Sequence, residues 1–274
     1  MSDAECMAFL QWALPLMGFH WPGFRKVRGR VCKRIARRCA ALGLADASAY
    51  RRHLEAHGEE WDSLRALCAV AISRFYRDRG VFQALEASVL PRLAPAAARR
   101  PDATLACWSV GCASGEEPYT LAILWQLQLA QRHPQVALDV LATDVDPALL
   151  ARAAAARYQW SSVKALPESW RSRAFEQQDG DYRLRAPFRD LVRFELQDVR
   201  ESVPGRDFDL ILCRNLVLTY FAPALRRQVM ARILARLREG GALVVGMHES
   251  LPEGMNRLAP WPGVRAVFRK GTAG

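Results

Sequence analysis

The sequence predicts an all-helical N-terminal part followed by an α/β domain built on a mainly parallel sheet. Three observations carry that prediction. A short apolar run, Leu105 to Val110, stops at Gly111 and a turn of small residues (Cys112, Ala113, Ser114, Gly115), after which Leu121, Ile123, Leu124 and Leu127 set a helical pattern. From Thr104 onward, apolar runs of strand length alternate with helical patterns, the mark of a parallel sheet with crossover helices. Residues 1 to about 90, by contrast, read as helical throughout.

In chain order, Ala8 to Met17 is a short apolar helix and His20 to Phe24, with Pro22 and Gly23, a loop. From Phe24 a helix is expected to run to about Leu42 and break at Gly43. Val27, Val31, Ile35 and Cys39 recur every four residues in it and give one apolar stripe. Helices follow near Ala47 to Ala56 and Glu59 to Ile72, and then the segment ISRFYRDRGVF from Ile72 to Phe82. The Ala-, Pro- and Arg-rich stretch Ala94 to Asp102 reads as a linker, so the expected domains are 1–90 and 91–274. Val136 to Thr143 is a second strand ending in Asp144, and Asp146-Pro147 starts a helix through Ala156. Residues from about 158 to 190 break the alternation and read as a small antiparallel insertion, with a hairpin around Gln178 to Asp181. Leu191 to Leu196, Phe208 to Cys213 and Ala242 to Met247 are further strands. A helix from Ala224 to Leu237 is expected to stop at Gly240-Gly241, and Val264 to Arg269 is a weak final strand.

The turn after the first strand is where a doubly wound sheet binds nucleotides. A phosphate site would offer turn and helix N–H groups to an anion. Here Glu116 and Glu117 stand in that place. Paired carboxylates repel a pyrophosphate but suit a cationic ligand end, such as the ammonium and sulfonium of S-adenosylmethionine. The same acids also favour any helix N-terminus, so the segment alone leaves both readings open. Asp144, beyond the second strand, is placed to accept hydrogen bonds from ribose hydroxyls, and Asp198, after the third, from an adenine amino group.

Composition bounds the rest. Half of the 274 residues are hydrophobic, enough for a sizeable core, and no apolar run is long enough to span a membrane. With an acidic start and no charged segment before an apolar one, the N-terminus does not read as a signal peptide. Seven scattered cysteines argue for reduced thiols in a cytoplasmic protein rather than a disulfide frame, and no metal site is expected. Cys112, in the key turn but without a nearby His, reads as packing rather than as a nucleophile. The net charge of +11 favours an acidic partner. Arg25, Lys26, Arg28, Arg30, Lys33, Arg34, Arg37 and Arg38 crowd one helix, with no acid between Glu5 and Asp46 to pair them. No zinc-finger or RNA-recognition signature accompanies them, so a nucleic-acid partner is not expected.

The order GCASGEEPYT, LATDVDP, FDLILCRNLVLTYF and GGALVVGMHES, together with RFYRD before the α/β domain and the small insertion, resembles the chemotaxis receptor methyltransferases, the CheR family, over nearly the whole chain. The resemblance implies a Rossmann-like S-adenosylmethionine-dependent methyltransferase domain, α/β with a small antiparallel β insertion, preceded by an all-helical N-terminal domain. It implies methyl transfer to glutamate side chains of chemoreceptor helices, with S-adenosylhomocysteine as product. It also implies roles for particular residues. Ser73 and Arg77 match the segment that reaches the cofactor, and Arg77 and Tyr220 are the catalytic candidates. Glu117, with Glu116 beside it, matches the acid holding the methionine amino end at the Gly111 turn. Asp144 and Val145 match the ribose side, Asp198 and Val199 the adenine contacts, and Asn215 and Leu216 the pair after the fourth strand.

Departures stand beside these matches. Ala71 replaces a usual Asn, Tyr76 a usual Phe and Asp198 a usual Asn, and LVLTYF is one residue longer than the usual form. The longer segment keeps a different protein or small-molecule acceptor open, as well as a cofactor-binding module without catalysis.

Overall fold

The computed structural model describes residues 2–271. It divides into two compact units: a helical one up to Ala71 that also takes in Thr219–Arg227, and a sheet unit made of Ile72–Leu218 and the chain from Gln228 onward. The expected boundary near residue 90 therefore lies some way into the sheet unit. The stretch expected to be a linker is instead helix Leu90–Ala98, whose Leu90, Leu93, Ala94 and Ala97 are buried in the core of the sheet unit. Alanine is the strongest helix former, and Pro91 sits in the first turn, where its missing N–H does no harm.

In the helical unit, helices Asp3–Leu16, Trp21–Phe24, Arg28–Ala41, Ala47–Ala56 and Glu60–Cys68 enclose a core of Leu10, Leu14, Phe24, Ile35, Tyr50, Leu54 and Leu64. Ser2 and Glu5 cap the first helix reciprocally, through a Glu5 N–H to Ser2 Oγ bond of 3.2 Å and a Ser2 N–H to Glu5 Oε2 bond of 2.6 Å. The stripe Val31, Ile35 and Cys39 is buried as expected, although the long helix begins at Arg28 and not at Phe24. Two expectations need correction here. Cys6 and Cys32 are joined by a disulfide, so the cysteines are not all free thiols; the other five are free and buried. A separation of 26 residues gave no hint of the pairing, because helix packing and not spacing brings the two together. The basic helix is also not wholly without acids: Arg28 pairs with Asp3 at 3.2 Å and Arg38 with Glu60 at 2.6 Å, while Arg34 donates to the carbonyls of Leu67 and Ala69. Arg25, Lys26, Arg30, Lys33 and Arg37 remain exposed.

The segment Thr219–Arg227 is tied to this unit by backbone. His20 N–H donates to the Tyr220 carbonyl at 2.7 Å and Ala222 N–H to the Gly18 carbonyl at 2.8 Å, and Phe19 and Phe221 form an isolated bridge. Gly23 permits the approach, since a Cβ there would lie 2.1 Å from the Thr219 carbonyl oxygen.

In the sheet unit the strands are β1 Thr104–Val110, β2 Ala137–Asp144, β3 Arg157–Tyr158, β4 Phe175–Gln178, β5 Asp181–Leu184, β6 Val192–Leu196, β7 Phe208–Leu212, β8 Leu237–Val244, β9 Leu258–Pro260 and β10 Val267–Lys270. Seven of them form one sheet in the order β6-β2-β1-β7-β8-β10-β9, parallel except at β10 and β9. β1 and β7 are buried along nearly their whole length, as strands covered on both faces must be. The order reverses at β1, between β2 and β7, which opens a crevice at the carboxyl end of β1. The expected insertion is a separate three-stranded antiparallel sheet, β3-β5-β4, whose hairpin turns through Asp179 and Gly180 at φ of 53° and 82°. Gly240-Gly241 does not end a helix. That helix stops at Ala235, and the glycines lie inside β8, where a Cβ on Gly241 would meet the Asp209 carbonyl at 2.9 Å.

Candidate functional site

The crevice is built by two backbone turns and one shared carboxylate. Gly111 and Cys112 both donate their N–H to the Thr143 carbonyl, at 2.8 and 3.0 Å, which fastens the end of β1 to the end of β2. Asp144 then accepts the Ala113 N–H at 2.8 Å on one oxygen and the Asp146 N–H at 3.0 Å on the other. Each carboxylate oxygen keeps a lone pair for a further donor. Burial pushes the Asp144 carboxyl above the ordinary aspartate range, against the lowering effect of these backbone donors. The turn uses left-handed backbone at Gly111, Ala113 and Gly115. Gly111 suits its place, because φ is +70°, where a side chain is strained, and a Cβ would sit 2.5 Å from Leu216 Cδ2.

The paired acids part company. Glu116 is buried and accepts the Ser114 hydroxyl at 3.0 Å on both oxygens. Glu117 lies instead against the end of β1 and the residue after β7: Ser109 Oγ donates to its Oε1 at 2.8 Å, and Arg214 Nη1 to its Oε2 at 2.9 Å. Arg214 is almost fully buried, and its other terminal nitrogen donates to Asp78 Oδ2 at 2.6 Å and to the Arg77 carbonyl at 3.1 Å. One guanidinium thus joins the turn after β1 to the segment Ile72–Asp78.

That segment is held by its aromatics. Phe75 is fully buried, edge-on to Tyr158 at 4.8 Å and to Phe175 at 5.2 Å, and the Tyr76 N–H donates to Thr120 Oγ1 at 3.0 Å. Between its ends Arg77 is half-buried and donates to the Ile72 carbonyl at 2.6 Å, while Ser73 is half-buried in chain without regular secondary structure. Val145 is 51% exposed, whereas Val199 is buried. The Asp198 carboxylate is bound by Arg200, with Nε at 2.9 Å from both oxygens. Asn215 takes a left-handed backbone, φ 55°, and donates its N–H to Glu249 Oε2 at 2.9 Å. The same oxygen accepts the Gly246 N–H at 2.6 Å. Tyr220 belongs to the helical unit, where its ring stands edge-on to Phe24 at 5.0 Å.

Ser109, Asp78, Arg214 and Glu249 were not among the expected site residues. Ser109 and Arg214 left a trace: a hydroxyl inside an apolar strand run, and a charge directly after the apolar DLILC. Asp78 and Glu249 lie inside the quoted RFYRD and GGALVVGMHES motifs, but nothing in those motifs pointed to their partners. Cys112 is buried, and burial, with the nearby Asp144 and Glu117, raises its thiol far above the ordinary range, which favours packing over nucleophilic chemistry. Among the described residues no cluster of three or more metal-ligating side chains occurs.

The donor set fits S-adenosylmethionine. Asp144 keeps acceptors for a ribose, the turn is of small residues, and acids rather than cations face the helix start at Glu116. Residues 71–265 match the family model described as CheR methyltransferase, SAM binding domain. The chain is 36% identical to the chemotaxis protein methyltransferase of Listeria monocytogenes over 200 residues, 73% of each chain. It is 32% identical to chemotaxis protein methyltransferase 2 of Vibrio cholerae, over 80% of this chain and 74% of that one. With the chemotaxis protein methyltransferase of Salmonella typhimurium the identity is 31%, over 81% and 76%. A strand-turn-helix crevice of this chemistry, inside a match that covers most of the chain, makes this protein an S-adenosylmethionine-dependent methyltransferase that belongs to the CheR family.

Proposed function

We propose that this protein methylates glutamate side chains on chemoreceptor helices, forming carboxyl methyl esters, in the cytoplasm. The observation that carries the reading is the Glu117–Arg214–Asp78 bridge, which sets the segment bearing Arg77 beside the crevice. The relatives' names, chemotaxis protein methyltransferase, supply the acceptor class. The exposed cations Arg25, Lys26, Arg30, Lys33 and Arg37 suit an acidic helical partner.

Bound in the crevice, S-adenosylmethionine supplies an electrophilic methyl on a sulfonium leaving group. The chain has little else to provide. A glutamate carboxylate, with an ordinary pKa of about 4.3, is already a nucleophile at neutral pH and needs no general base. In this reading Asp144 takes the ribose and Glu117 the methionine amino end. Ser73 lies toward the cofactor, Val145 stands beside Asp144 on the ribose side, Asp198 and Val199 meet the adenine, and Asn215 and Leu216 close the crevice beyond β7. Arg77 steers the acceptor carboxylate through one oxygen, leaving the other free to attack, and Tyr220 is the second catalytic candidate. Holding nucleophile and methyl in line and excluding water is worth up to roughly 7–11 kcal/mol.

The test is methyl transfer from radiolabelled S-adenosylmethionine to a purified receptor cytoplasmic fragment, with the sites read by mass spectrometry. Alkali-labile label on glutamate is expected, and Arg77→Ala should lower transfer at least ~100-fold. Wild-type turnover by that variant would take Arg77 out of the reaction. The extra residue in LVLTYF favours a second reading, a different acceptor. Alkali-stable label on another protein or a small molecule would select it.

A further inference from the structure

The chain that leaves β7 is held in its turn by a side chain 34 residues later. β7 and β8 are parallel neighbours, and Cys213 N–H donates to the Val244 carbonyl at 2.9 Å, so the two chains leave the sheet side by side at its carboxyl edge. After β7 the backbone turns at Asn215, whose φ of 55° is left-handed, a conformation that strains most residues and that Asn tolerates. Its N–H goes to a side chain and not to a strand: Glu249 Oε2 accepts it at 2.9 Å. The same oxygen accepts the Gly246 N–H at 2.6 Å, and the Glu249 N–H closes the turn after β8 by donating to the Gly246 carbonyl at 2.9 Å. Backbone N–H bonds to a carboxylate are roughly twice as strong as neutral ones. The fit is close, because a Cβ on Gly246 would lie 2.7 Å from Glu249 Oε2 and 2.8 Å from Asn215 Oδ1. One residue beyond Asn215, Leu216 lies against the turn after β1: a Cβ on Gly111 would stand 2.5 Å from its Cδ2.

We propose that Glu249 is a positioning residue for the cofactor: its carboxylate holds Asn215 in the left-handed turn, and so holds Leu216 against the Gly111 turn where S-adenosylmethionine binds. It acts through Asn215 and Leu216 and takes no part in the transfer itself. Without that carboxylate the half-buried Asn215 N–H loses its acceptor, the turn loosens, and Leu216 has no fixed place over Gly111. The consequence falls on cofactor affinity, for substrate and product alike, and not on the acceptor or the chemical step. The proposal rests on the reading that Asn215 and Leu216 close the cofactor crevice.

Three variants of the full chain test it, by titration calorimetry with S-adenosylhomocysteine and by initial rates with S-adenosylmethionine and a receptor fragment. Glu249→Ala should weaken S-adenosylhomocysteine and raise KM for S-adenosylmethionine at least ~tenfold. Its kcat and its KM for the acceptor should stay within about threefold of wild type. Gly246→Ala keeps the carboxylate but crowds it off Asn215, and should lose the same affinity. Glu249→Gln keeps an oxygen for both N–H groups and should bind within about threefold of wild type. The melting temperature of each ligand-free variant records that it is folded; should Glu249→Ala not fold, the other two give the answer. Wild-type cofactor binding by Glu249→Ala or Gly246→Ala, a loss that Glu249→Gln does not restore, or a fall in kcat with cofactor KM unchanged overturns the proposal. The calorimetry holds whichever acceptor the enzyme uses. Leu216→Ala separates the two ideas. Weak cofactor binding there, with wild-type binding by Glu249→Ala, sinks the role of Glu249 and keeps that of Leu216. Wild-type binding by Leu216→Ala sinks both.

Discussion

Cys112 shows how far one residue's position can mislead. It stands in the turn that forms the crevice, where a thiol invites a catalytic reading. Its surroundings deny that reading, because burial and two nearby carboxylates hold it as a neutral thiol well above the ordinary range. Its neighbour Gly111 is constrained by backbone and by Leu216, and Asp144 by two backbone donors, so the turn's work is done by shape and acceptors. Cys112→Ser is expected to keep the transfer rate within about threefold of wild type. A loss beyond a hundredfold, with ligand binding intact, would restore a role for the thiol in the chemistry.

Among the elements, the basic helix Arg28–Ala41 is held at its C-terminal half by an acid from another helix. Glu60 accepts Arg38 at 2.9 and 2.6 Å and the Tyr50 hydroxyl at 2.7 Å, so it links three helices. The Arg38 hydrogen bonds outweigh burial and hold the Glu60 carboxyl below its ordinary 4.5. A depressed carboxyl stabilises the fold above the unfolded value and loses that contribution as pH falls through the folded one. Glu60→Gln should therefore melt about 5 °C below wild type at pH 7. The gap should close as the pH is lowered past 4.5, read by circular dichroism at each pH. A gap that stays unchanged throughout the acid range would mean that packing, not charge, accounts for it.

For the whole molecule, charge is the dominant long-range property. The chain carries a net +11, and the exposed part of the basic helix has no acid partner among the described residues. Steering of an acidic acceptor weakens as the Debye length shrinks from about 10 Å at 0.1 M salt to about 3 Å at 1 M. KM for a receptor fragment is expected to rise at least ~tenfold between 0.05 and 0.5 M NaCl, with kcat little changed. A KM indifferent to salt would leave the basic face without a part in acceptor binding.

Much of the architecture is legible in the sequence, because it rests on local physics. The strand, small-residue turn and helix from Leu105 to Tyr119, the alternation after it, the insertion hairpin and the place of Asp144 at the end of the second strand follow from side-chain period, turn chemistry and chain order. Composition misled at Ala94–Asp102 and at Gly240-Gly241, where alanine and glycine suit more than one structure. What no local pattern holds is who meets whom at long range. The pairing of Cys6 with Cys32, the acids that answer Arg28 and Arg38, the return of Thr219–Arg227 to the helical unit, and the gathering of Asp78 and Glu117 about Arg214 join residues far apart in the chain. Those contacts exist only once helices and strands have packed, since packing alone decides which buried charges face each other. The kind of site was thus written in short stretches of sequence, and its charge was decided by the tertiary fold.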